Sequence, residues 1–235
     1  LEKILFRSVD KLIVTSEKFF TEHYKNFFKG AFFVLENKPL KSLLPEKVPK
    51  NKNSKRIIGI VGLLLQLDVY ERLFEAVKND SRYEVHIYGM GKYAENITAY
   101  ARQIENVKYF GPYKFFNDVS KIYSSIDILY MPYSKINKSM NNRLALPNKL
   151  YEAMYYKVPI ITSKNTYLGS RVIDLSIGLQ TNYQNLEDLK CSLEMIFNNY
   201  NKYVKNLNVL DTNLFLADKD YKKLETFLTR DLRML

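Results

Sequence analysis

After residue 55 the sequence alternates regularly between short apolar runs and amphipathic stretches. Runs such as "RIIGIVG", "YEVHIYG" and "VPIITS" have the length and composition of buried β-strands. The stretches between them, such as "DVYERLFEAVKN" and "FFNDVSKIYSS", carry apolar residues at helical spacing. Strands that alternate with helices of this length predict βαβ units and a mostly parallel sheet. Because the crossovers in such units are right-handed, we predict an α/β chain with a doubly wound, Rossmann-like domain.

The sequence before this region contains too few predicted elements to form a core of its own. It predicts a strand at "KLIVTS", a helix over "SEKFFTEHYKNFF" with Ser16 as its N-cap, and a short strand at "AFFVLEN". A stretch rich in proline and lysine follows and is typical of a linker. The predicted divisions are the tail of an amino-terminal domain whose first part is absent (1–40), a linker (41–54), the Rossmann-like domain (55–215) and a carboxyl-terminal helix (216–235).

The composition excludes several classes of protein. The single cysteine, Cys191, excludes a disulfide framework and indicates a reducing compartment. Neither a signal peptide nor an apolar run long enough to span a membrane is present in the sequence. The net charge of +11 indicates either attraction to phosphates or anionic membranes, or a codon usage that favours lysine. Nucleic-acid binding is not predicted, because the sequence lacks an arginine-rich stripe, zinc-ligand spacing and an RNP-like motif.

The strand-to-helix turns are the candidate binding sites, because ligands of an open parallel sheet bind at the carboxyl ends of its strands. Gly62 ends one predicted strand, and Tyr113 follows another at a position suited to stacking. Gly89, Gly91 and Ala94 match the spacing G-x-G-x-x-A of dinucleotide sites. However, the region about 20 residues on, where such sites carry an acidic residue, reads "VKYFG". The glycines therefore indicate either a dinucleotide site or only a tight turn.

The turn "LPNKLYE" gives a stronger signal. Pro147 suits the first position of a helix, where its missing N–H costs nothing. The next amides, of Asn148, Lys149 and Leu150, would then be unpaired and form an anion site, which the Lys149 ammonium would strengthen. Glu152, one turn further, is either a charge favoured by the helix dipole or an acceptor for two adjacent ribose hydroxyls. As a helix-end charge alone, it would contribute less than about 1 kcal/mol to stability.

The remaining polar residues predict neither metal binding nor a defined catalytic group. His86 lies within a predicted strand, and His23 lies on a predicted helix beside Glu22, so both are interpreted as structural. Metal-ligand spacing and a nucleophile elbow are absent from the sequence. We therefore predict no metal site and assign no catalytic residue from the sequence.

From "RIIGIVG" to its end, the chain resembles the nucleotide-sugar-binding half of GT-B glycosyltransferases. It looks most like the family 4 enzymes, glycosyl transferases group 1, of bacterial capsule and lipopolysaccharide synthesis. The first 40 residues resemble the end of the acceptor-side domain, and the last helix resembles one that crosses back to that domain. The resemblance rests on the order of the motifs "GIVG", "YEVHIYGMG", "NVKYFGPY", "SKIYSSIDILYMPYS", "LPNKLYEAMYYKVPIITS" and "IGL".

This resemblance implies a transferase that moves a sugar from a nucleotide-sugar of the UDP or GDP type to a glycan or polyprenyl-linked acceptor. Members of the family usually retain the anomeric configuration and need no metal ion, so no cofactor is expected besides the donor substrate. The resemblance also implies a cytoplasmic location, at the inner face of the cytoplasmic membrane, with peripheral contact to that membrane.

The resemblance assigns roles to several of the candidate residues. Glu152 matches the second glutamate of the family's Glu-x7-Glu motif, which holds the ribose. Asn148, Lys149 and Leu150 match the start of the diphosphate-binding helix. Tyr113 lies where a residue commonly contacts the base, and the three glycines named above complete the expected donor site.

Two departures from the family pattern concern charge. Leu144 occupies the position of the first glutamate in the motif. The loop after Gly62 reads "LLLQLD", where many members carry an arginine and a lysine for the diphosphate. Compensating charge could come from Lys149, Arg143 or Lys138.

The resemblance places part of the catalytic site, often with a histidine, in the amino-terminal domain. If the first part of that domain is absent, we expect the chain to bind donor without transferring sugar. Apolar residues left without their sheet would then promote self-association. Two alternatives remain open. Leu144 and the apolar loop favour a non-catalytic nucleotide- or sugar-binding partner of the same fold, and "GMGKYA" favours an NAD-type Rossmann enzyme.

Overall fold

The structure is a computed structural model that describes residues 2–136 and 139–229 of the chain. It contains a two-stranded sheet near the amino terminus and a six-stranded sheet in the main domain. Within these two ranges, no helix is both long enough and apolar enough to cross a membrane. Lys138 and the end of the predicted carboxyl-terminal helix, at 230–235, lie outside the described residues.

The amino-terminal part is built on two parallel strands that pair in register, with Val14 opposite Val34. Val14 packs with Phe20 and Phe28 in a small core of its own. The elements of this part are α1 (Glu2–Leu5), β1 (Lys11–Val14), α2 (Glu17–Glu22) and β2 (Ala31–Val34).

Helix α2 is shorter than the sequence predicted, and the Ser16 side chain does not cap it. The helix ends at Glu22, because His23 has non-helical backbone angles (φ −127°, ψ −67°). Ser16 occupies the N-cap position with its side chain turned away from the helix amides. Its buried hydroxyl donates instead to the backbone carbonyl of Leu144 at 2.8 Å. The predicted cap is therefore a tertiary contact that ties the start of α2 to the main domain.

Six parallel strands form the main sheet: β3 (Arg56–Leu63), β4 (Tyr83–Met90), β5 (Val107–Gly111), β6 (Ile128–Tyr130), β7 (Ile160–Ser163) and β8 (Gly178–Thr181). Their order in the sheet is β5-β4-β3-β6-β7-β8. Strand β3 pairs with β4 over its whole length and with β6 on its other side. The chain order reverses between β3 and β6, which opens a crevice at the carboxyl ends of these strands.

Helices cover both faces of this sheet. The described helices after β3 are α3 (Leu67–Val77), α4 (Ala94–Gln103), α5 (Phe115–Ser125), α6 (Met140–Leu144), α7 (Asn148–Tyr156), α8 (Tyr167–Asp174), α9 (Leu186–Asn198), α10 (Tyr200–Asn208) and α11 (Asp218–Thr229). Side chains of α3, α4 and α9 contribute to one buried core, and those of α5, α7 and α8 contribute to the other. The predicted α/β, doubly wound Rossmann-like domain is therefore confirmed.

Helix α11 contacts the amino-terminal part of the chain. The Lys11 ammonium donates to the backbone carbonyl of Phe227 at 2.9 Å. The ring of Phe227 lies 5.5 Å from the ring of Phe33, measured between centroids. Lys38, which follows β2, forms an ion pair of 2.9 Å with Asp220. These contacts join α11 to the two-stranded sheet and to the segment after it.

The segment 41–54, predicted as a linker, runs along helix α5. The Val48 amide donates to the hydroxyl of Ser120 at 3.0 Å. The Asn51 amide donates to the carbonyl of Ser124, also at 3.0 Å. This segment therefore packs against one side of α5 and is held to it by hydrogen bonds.

Candidate functional site

A cleft of about 1230 Å³ lies at the carboxyl ends of the central strands and at the start of α7. The turns after β3, β4, β5 and β6 all contribute to its walls, as the reversal of strand order requires. Five residues predicted from the sequence line this cleft: Gly62, Gly89, Tyr113, Asn148 and Lys149. The fold therefore brings together residues that are up to 87 positions apart, since Gly62 and Lys149 share the same wall.

The three other predicted residues lie behind the cleft wall. A Cβ added to Gly91 would lie 2.7 Å from the backbone nitrogen of Leu64, so this glycine allows two turns to pack closely. Leu150 is fully buried in the core. Glu152 is only 3% exposed and lies beside the Lys149 side chain.

Gly89 permits a close approach of the turns after β3 and β4. Its φ is +147°, and a Cβ at this position would lie 1.8 Å from the carbonyl oxygen of Gly62. Gly62 itself has a φ of +113°, and a Cβ there would lie 3.0 Å from Cε of Lys149. Backbone packing alone thus accounts for Gly89 and Gly91, and the tight-turn interpretation of the G-x-G-x-x-A spacing is sufficient.

Substitution of Gly89 by alanine should lower the free energy of unfolding by about 3 kcal/mol, at the upper end of common single substitutions. The new methyl group would overlap the Gly62 carbonyl, so β3 and β4 would have to separate. Gly111 provides a matched control, because its φ is also positive (+79°) but a Cβ there would meet nothing within 4 Å. Gly111→Ala should cost only about 1–2 kcal/mol, the scale of left-handed backbone strain. Equal costs in urea unfolding would contradict the packing explanation.

The start of α7 differs in detail from the prediction. Pro147 is the N-cap, with extended backbone (φ −78°, ψ 155°), and the helix begins at Asn148. The Leu150 amide donates to the Pro147 carbonyl at 3.0 Å, so it is not available to an anion as predicted. The amides of Asn148 and Lys149 have no hydrogen-bond partner among the described residues. Two amides, rather than three, are therefore available at this positive end of the helix dipole.

Lys149 and Glu152 form an ion pair within α7. The ammonium lies 2.9 Å from each carboxylate oxygen, and the exposed fractions of the side chains are 21% and 5%. Burial lowers the pKa of Lys149, but the Glu152 charge, Tyr113 and the hydrogen bonds to both together outweigh this effect, and the pKa is raised. The ammonium also lies 5.7 Å from the ring centroid of Tyr113. Lys149 thus remains a cation and joins the buried Glu152 to the cleft.

Glu152 has a further partner that sequence reasoning missed. The hydroxyl of Tyr123 donates to Oε2 of Glu152 at 3.1 Å. Tyr123 lies on α5 and is 1% exposed. Burial raises its pKa well above the ordinary value, and the Glu152 carboxylate raises it further. The phenol is therefore a permanent hydrogen-bond donor to this carboxylate.

Of the cations predicted to compensate for the departures from the family pattern, two lie in the described part of the chain, Lys149 and Arg143. Leu144, at the position of the first motif glutamate, is buried, with 1% of its surface exposed. The Arg143 guanidinium is paired with Glu22 at 2.5 Å, on the side of the amino-terminal part. Among the described cations considered, Lys149 is the one that pairs with Glu152.

A second polar cluster lines the cleft near the turn after β3. Oδ2 of Asp68 accepts hydrogen bonds from the hydroxyls of Tyr183 at 2.7 Å and Ser134 at 2.9 Å. The Ser134 amide donates to the side-chain carbonyl of Gln66. These bonds tie the loop after β6 to the turn after β3, with Gln66, Asp68 and Ser134 on the cleft wall. The sequence pattern gave no signal for this cluster, because its members come from separate parts of the chain.

The histidines occupy structural positions, as predicted. His86 contacts Glu84 at 2.5 Å, and its ring lies 5.0 Å from that of Phe110. His23 terminates α2. Within the described part of the chain, no group of three or more histidine, cysteine, aspartate or glutamate side chains is arranged to hold a metal ion.

Solved structures share this fold. Sucrose-phosphate synthase from Thermosynechococcus elongatus is 15% identical, with a TM-score of 0.76, over 100% of this chain and 61% of that one. HepE from Anabaena, solved with UDP and glucose, is 13% identical, with a TM-score of 0.74, over 97% of this chain and 65% of HepE. A TarM variant from S. aureus, solved with fondaparinux, alpha-GlcNAc-glycerol and UDP, is 18% identical, with a TM-score of 0.68, over 97% of this chain and 45% of the TarM chain.

At such identities these structures show the fold alone, which is that of GT-B glycosyltransferases. The chain spans less than two thirds of the length of each of the three. In sequence, residues 55–197 match the family described as glycosyl transferases group 1. Because the match covers more than half of the 235 residues, the chain belongs to this family. A comparison with curated proteins found no match.

Proposed function

We propose that this chain is the donor-binding part of a glycosyltransferase that transfers a sugar from a nucleotide-sugar of the UDP or GDP type. The observation that carries the proposal is the cleft itself. In it, two unpaired amides and a lysine ammonium meet at the start of α7, beside the ends of the central strands. A helix N-terminus with free amides and a nearby cation favours bound phosphate.

The proposed donor would lie along the cleft. Its diphosphate would accept hydrogen bonds from the amides of Asn148 and Lys149, with the Lys149 ammonium supplying charge. Its ribose would reach Glu152, which lies one turn behind these amides. Tyr113, which lines the same wall, would stack on the base. The polar wall at Asp68 would then be available to the hydroxyl groups of the sugar.

We extend the proposal to the acceptor by analogy with structural neighbours. The TarM variant was solved with alpha-GlcNAc-glycerol, and WaaG is a glycosyltransferase involved in lipopolysaccharide biosynthesis. For this chain we propose a glycan or polyprenyl-linked acceptor of surface polysaccharide synthesis, at the inner face of the cytoplasmic membrane. We further propose transfer with retention and without a metal ion. The anomeric configuration of the product and its yield with a chelator present test these two points.

One observation favours a second candidate, a non-catalytic nucleotide- or sugar-binding protein of the same fold. Leu144 lies where the family motif has its first glutamate, and its buried apolar side chain offers neither a charge nor a hydrogen-bond acceptor to a donor sugar. Both candidates predict nucleotide binding, and they differ in sugar transfer. Sugar transfer from a radiolabelled nucleotide-sugar to lipid-linked acceptors, measured with a protein that contains this chain together with an acceptor-side domain, distinguishes them.

Thermal unfolding with UDP, GDP, ADP, CMP and NAD tests the proposed function. We expect UDP or GDP to stabilise the chain, by about 2.7 kcal/mol at a concentration 100 times the dissociation constant. NAD should give a smaller effect, because the glycines of G-x-G-x-x-A are engaged in backbone packing. If none of the five ligands changes the unfolding temperature at millimolar concentration, the donor-binding proposal is wrong. Stabilisation by NAD alone would favour the oxidoreductase alternative.

A further inference from the structure

The hydrogen-bonding capacity of Glu152 is nearly full in the ligand-free chain. A carboxylate accepts hydrogen bonds in about four lone-pair directions, two on each oxygen. Lys149 occupies one direction on Oε1 and one on Oε2, both at 2.9 Å. Tyr123 occupies the second direction on Oε2 at 3.1 Å. Two adjacent ribose hydroxyls therefore cannot both bind Glu152 until one of these donors moves.

Lys149 is the donor that is able to move. Its side chain is 21% exposed, and the residue lines the cleft, where its Cε lies 3.0 Å from the position of a Cβ on Gly62. A diphosphate at the start of α7 would compete with Glu152 for this ammonium, because it carries more negative charge than one carboxylate. When Lys149 turns to the diphosphate, Glu152 keeps only the hydrogen bond from Tyr123 among those made by the described side chains.

Tyr123, in contrast, is fixed in place. It is 1% exposed, and its ring stacks on that of Tyr156 with centroids 5.0 Å apart and an interplanar angle of 16°. Both rings lie where α5 packs on α7, so the hydroxyl cannot follow a ligand into the cleft. Burial raises its pKa well above the ordinary value, so the hydroxyl is protonated, and therefore a donor, at neutral pH.

We propose that Tyr123 is a positioning residue for nucleotide recognition, whose hydroxyl holds the Glu152 carboxylate in place after Lys149 has turned to the diphosphate. This inference rests on the proposed function, because it assumes that Glu152 binds ribose. Tyr123 acts through Glu152 and does not contact the nucleotide. Without its hydroxyl, the freed carboxylate would rotate about its terminal bond, and its two oxygens would no longer be aligned with two ribose hydroxyls.

Titration calorimetry of the wild-type chain and Tyr123→Phe tests the proposal with three ligands. These are UDP or GDP, whichever stabilises the chain more, its 2′-deoxy form, and inorganic pyrophosphate. Tyr123→Phe should weaken binding of the nucleoside diphosphate by about three- to tenfold, the scale of one hydrogen bond. Binding of the 2′-deoxy form should fall less, so the wild-type preference for the 2′-hydroxyl shrinks. Binding of pyrophosphate should stay within about twofold, as for an independent site.

Tyr151→Phe is the matched control. Tyr151 lies on α7 next to Glu152 and is fully buried, and no hydrogen bond joins its hydroxyl to Glu152. Burial raises the pKa of this hydroxyl, and the carboxylate that raises it further is that of Glu36. The substitution removes the same atom from an equally buried ring without touching the Glu152 carboxylate. It should leave all three affinities within about twofold of the wild type.

The outcomes separate this inference from the function on which it rests. A purely structural effect of Tyr123→Phe would weaken all three ligands together, pyrophosphate included, and would overturn the inference. An unchanged preference for the 2′-hydroxyl would also overturn it, while nucleotide binding by the wild type would leave the proposed function intact. If the wild-type chain binds neither UDP nor GDP, the proposed function fails and the inference fails with it. The double variant Tyr123→Phe/Glu152→Gln should bind no more weakly than Glu152→Gln alone, because the hydroxyl acts only through the carboxylate.

Discussion

Replacement of Lys149 by methionine should lower the free energy of unfolding of the ligand-free chain by about 3 kcal/mol. The substitution keeps the length of the apolar stem but leaves Glu152, which is 3% exposed, without its cationic partner. An uncompensated buried charge is among the most destabilising results of a single substitution. For a chain of this size the midpoint of thermal unfolding should fall by about 6–12 °C.

The pair between Glu187 and Lys190 provides the matched control. It has the same spacing of three residues on a helix, but its side chains are 79% and 45% exposed and 3.4 Å apart. Lys190→Met should therefore cost at most about 1 kcal/mol. In addition, the double variant Lys149→Met/Glu152→Gln should be more stable than Lys149→Met, because it removes both charges of the buried pair. A cost for Lys149→Met as small as that for Lys190→Met would contradict the assignment of Glu152 as a buried, paired carboxylate.

Replacement of Glu152 by glutamine should weaken binding of UDP or GDP by about ten- to a hundredfold, since a hydrogen bond to a charged group contributes roughly 1.5–3 kcal/mol. Glutamine keeps the size of the side chain and one carbonyl oxygen, but it loses the charge and one acceptor. If Glu152 binds the ribose, the bare nucleoside should lose affinity by the same factor as the nucleotide. Calorimetric titration of both ligands, with Glu187→Gln as an exposed control on α9, measures these losses.

Lys149→Met, in contrast, should discriminate between the nucleotide and the nucleoside, and it serves as a second comparison for the binding experiment. Its loss of affinity should be larger for the nucleoside diphosphate than for the nucleoside, because the ammonium acts on the phosphates. The loss should decrease as the salt concentration rises, since the side chain is partly exposed to solvent. Equal effects of Lys149→Met on the nucleotide and the nucleoside would contradict this division of roles.

The sequence predicted those elements of the fold that have strong hydrophobic periodicity. Helix α5 begins and ends where the pattern "FFNDVSKIYSS" predicted, and β3 and β4 were predicted with small errors at their ends. These elements bury one face or both, so their apolar residues recur at the period of the structure. For the same reason the doubly wound arrangement could be inferred from their alternation.

Elements stabilised mainly by tertiary contacts were not predicted. Strand β8 has only four residues, two of them half-buried, and its pattern "GLQT" has no clear period. Helix α10 contains three asparagines, which have low helix propensity, and it is held by the buried side chains of Tyr203 and Leu207. In both, packing against neighbours outweighs local preference, so a sequence pattern gives little signal.

The candidate site was predictable where it depends on a local motif. Lys149 and Glu152 are three residues apart on one helix, so their proximity follows from helical geometry. The burial of this pair could not be predicted from the sequence. Burial raises the expected cost of breaking the pair to about 3 kcal/mol, from less than about 1 kcal/mol for an exposed charge at a helix end. Tyr123 could not be identified either, because it meets Glu152 only through the packing of α5 on α7. Its place in the sequence resembles that of any core tyrosine.

The central claim is that Glu152 receives the ribose of a nucleotide bound at the start of α7. The most direct measurement is a cycle of four dissociation constants, for UDP or GDP and its 2′-deoxy form with the wild type and Glu152→Gln. We expect the wild type to bind the 2′-deoxy form about tenfold more weakly, the scale of one hydrogen bond to a charged group. In Glu152→Gln the two forms should bind almost equally, because the acceptor that distinguishes them has been altered. An equal 2′-deoxy penalty in both proteins would contradict the claim and leave Glu152 only as the buried partner of Lys149.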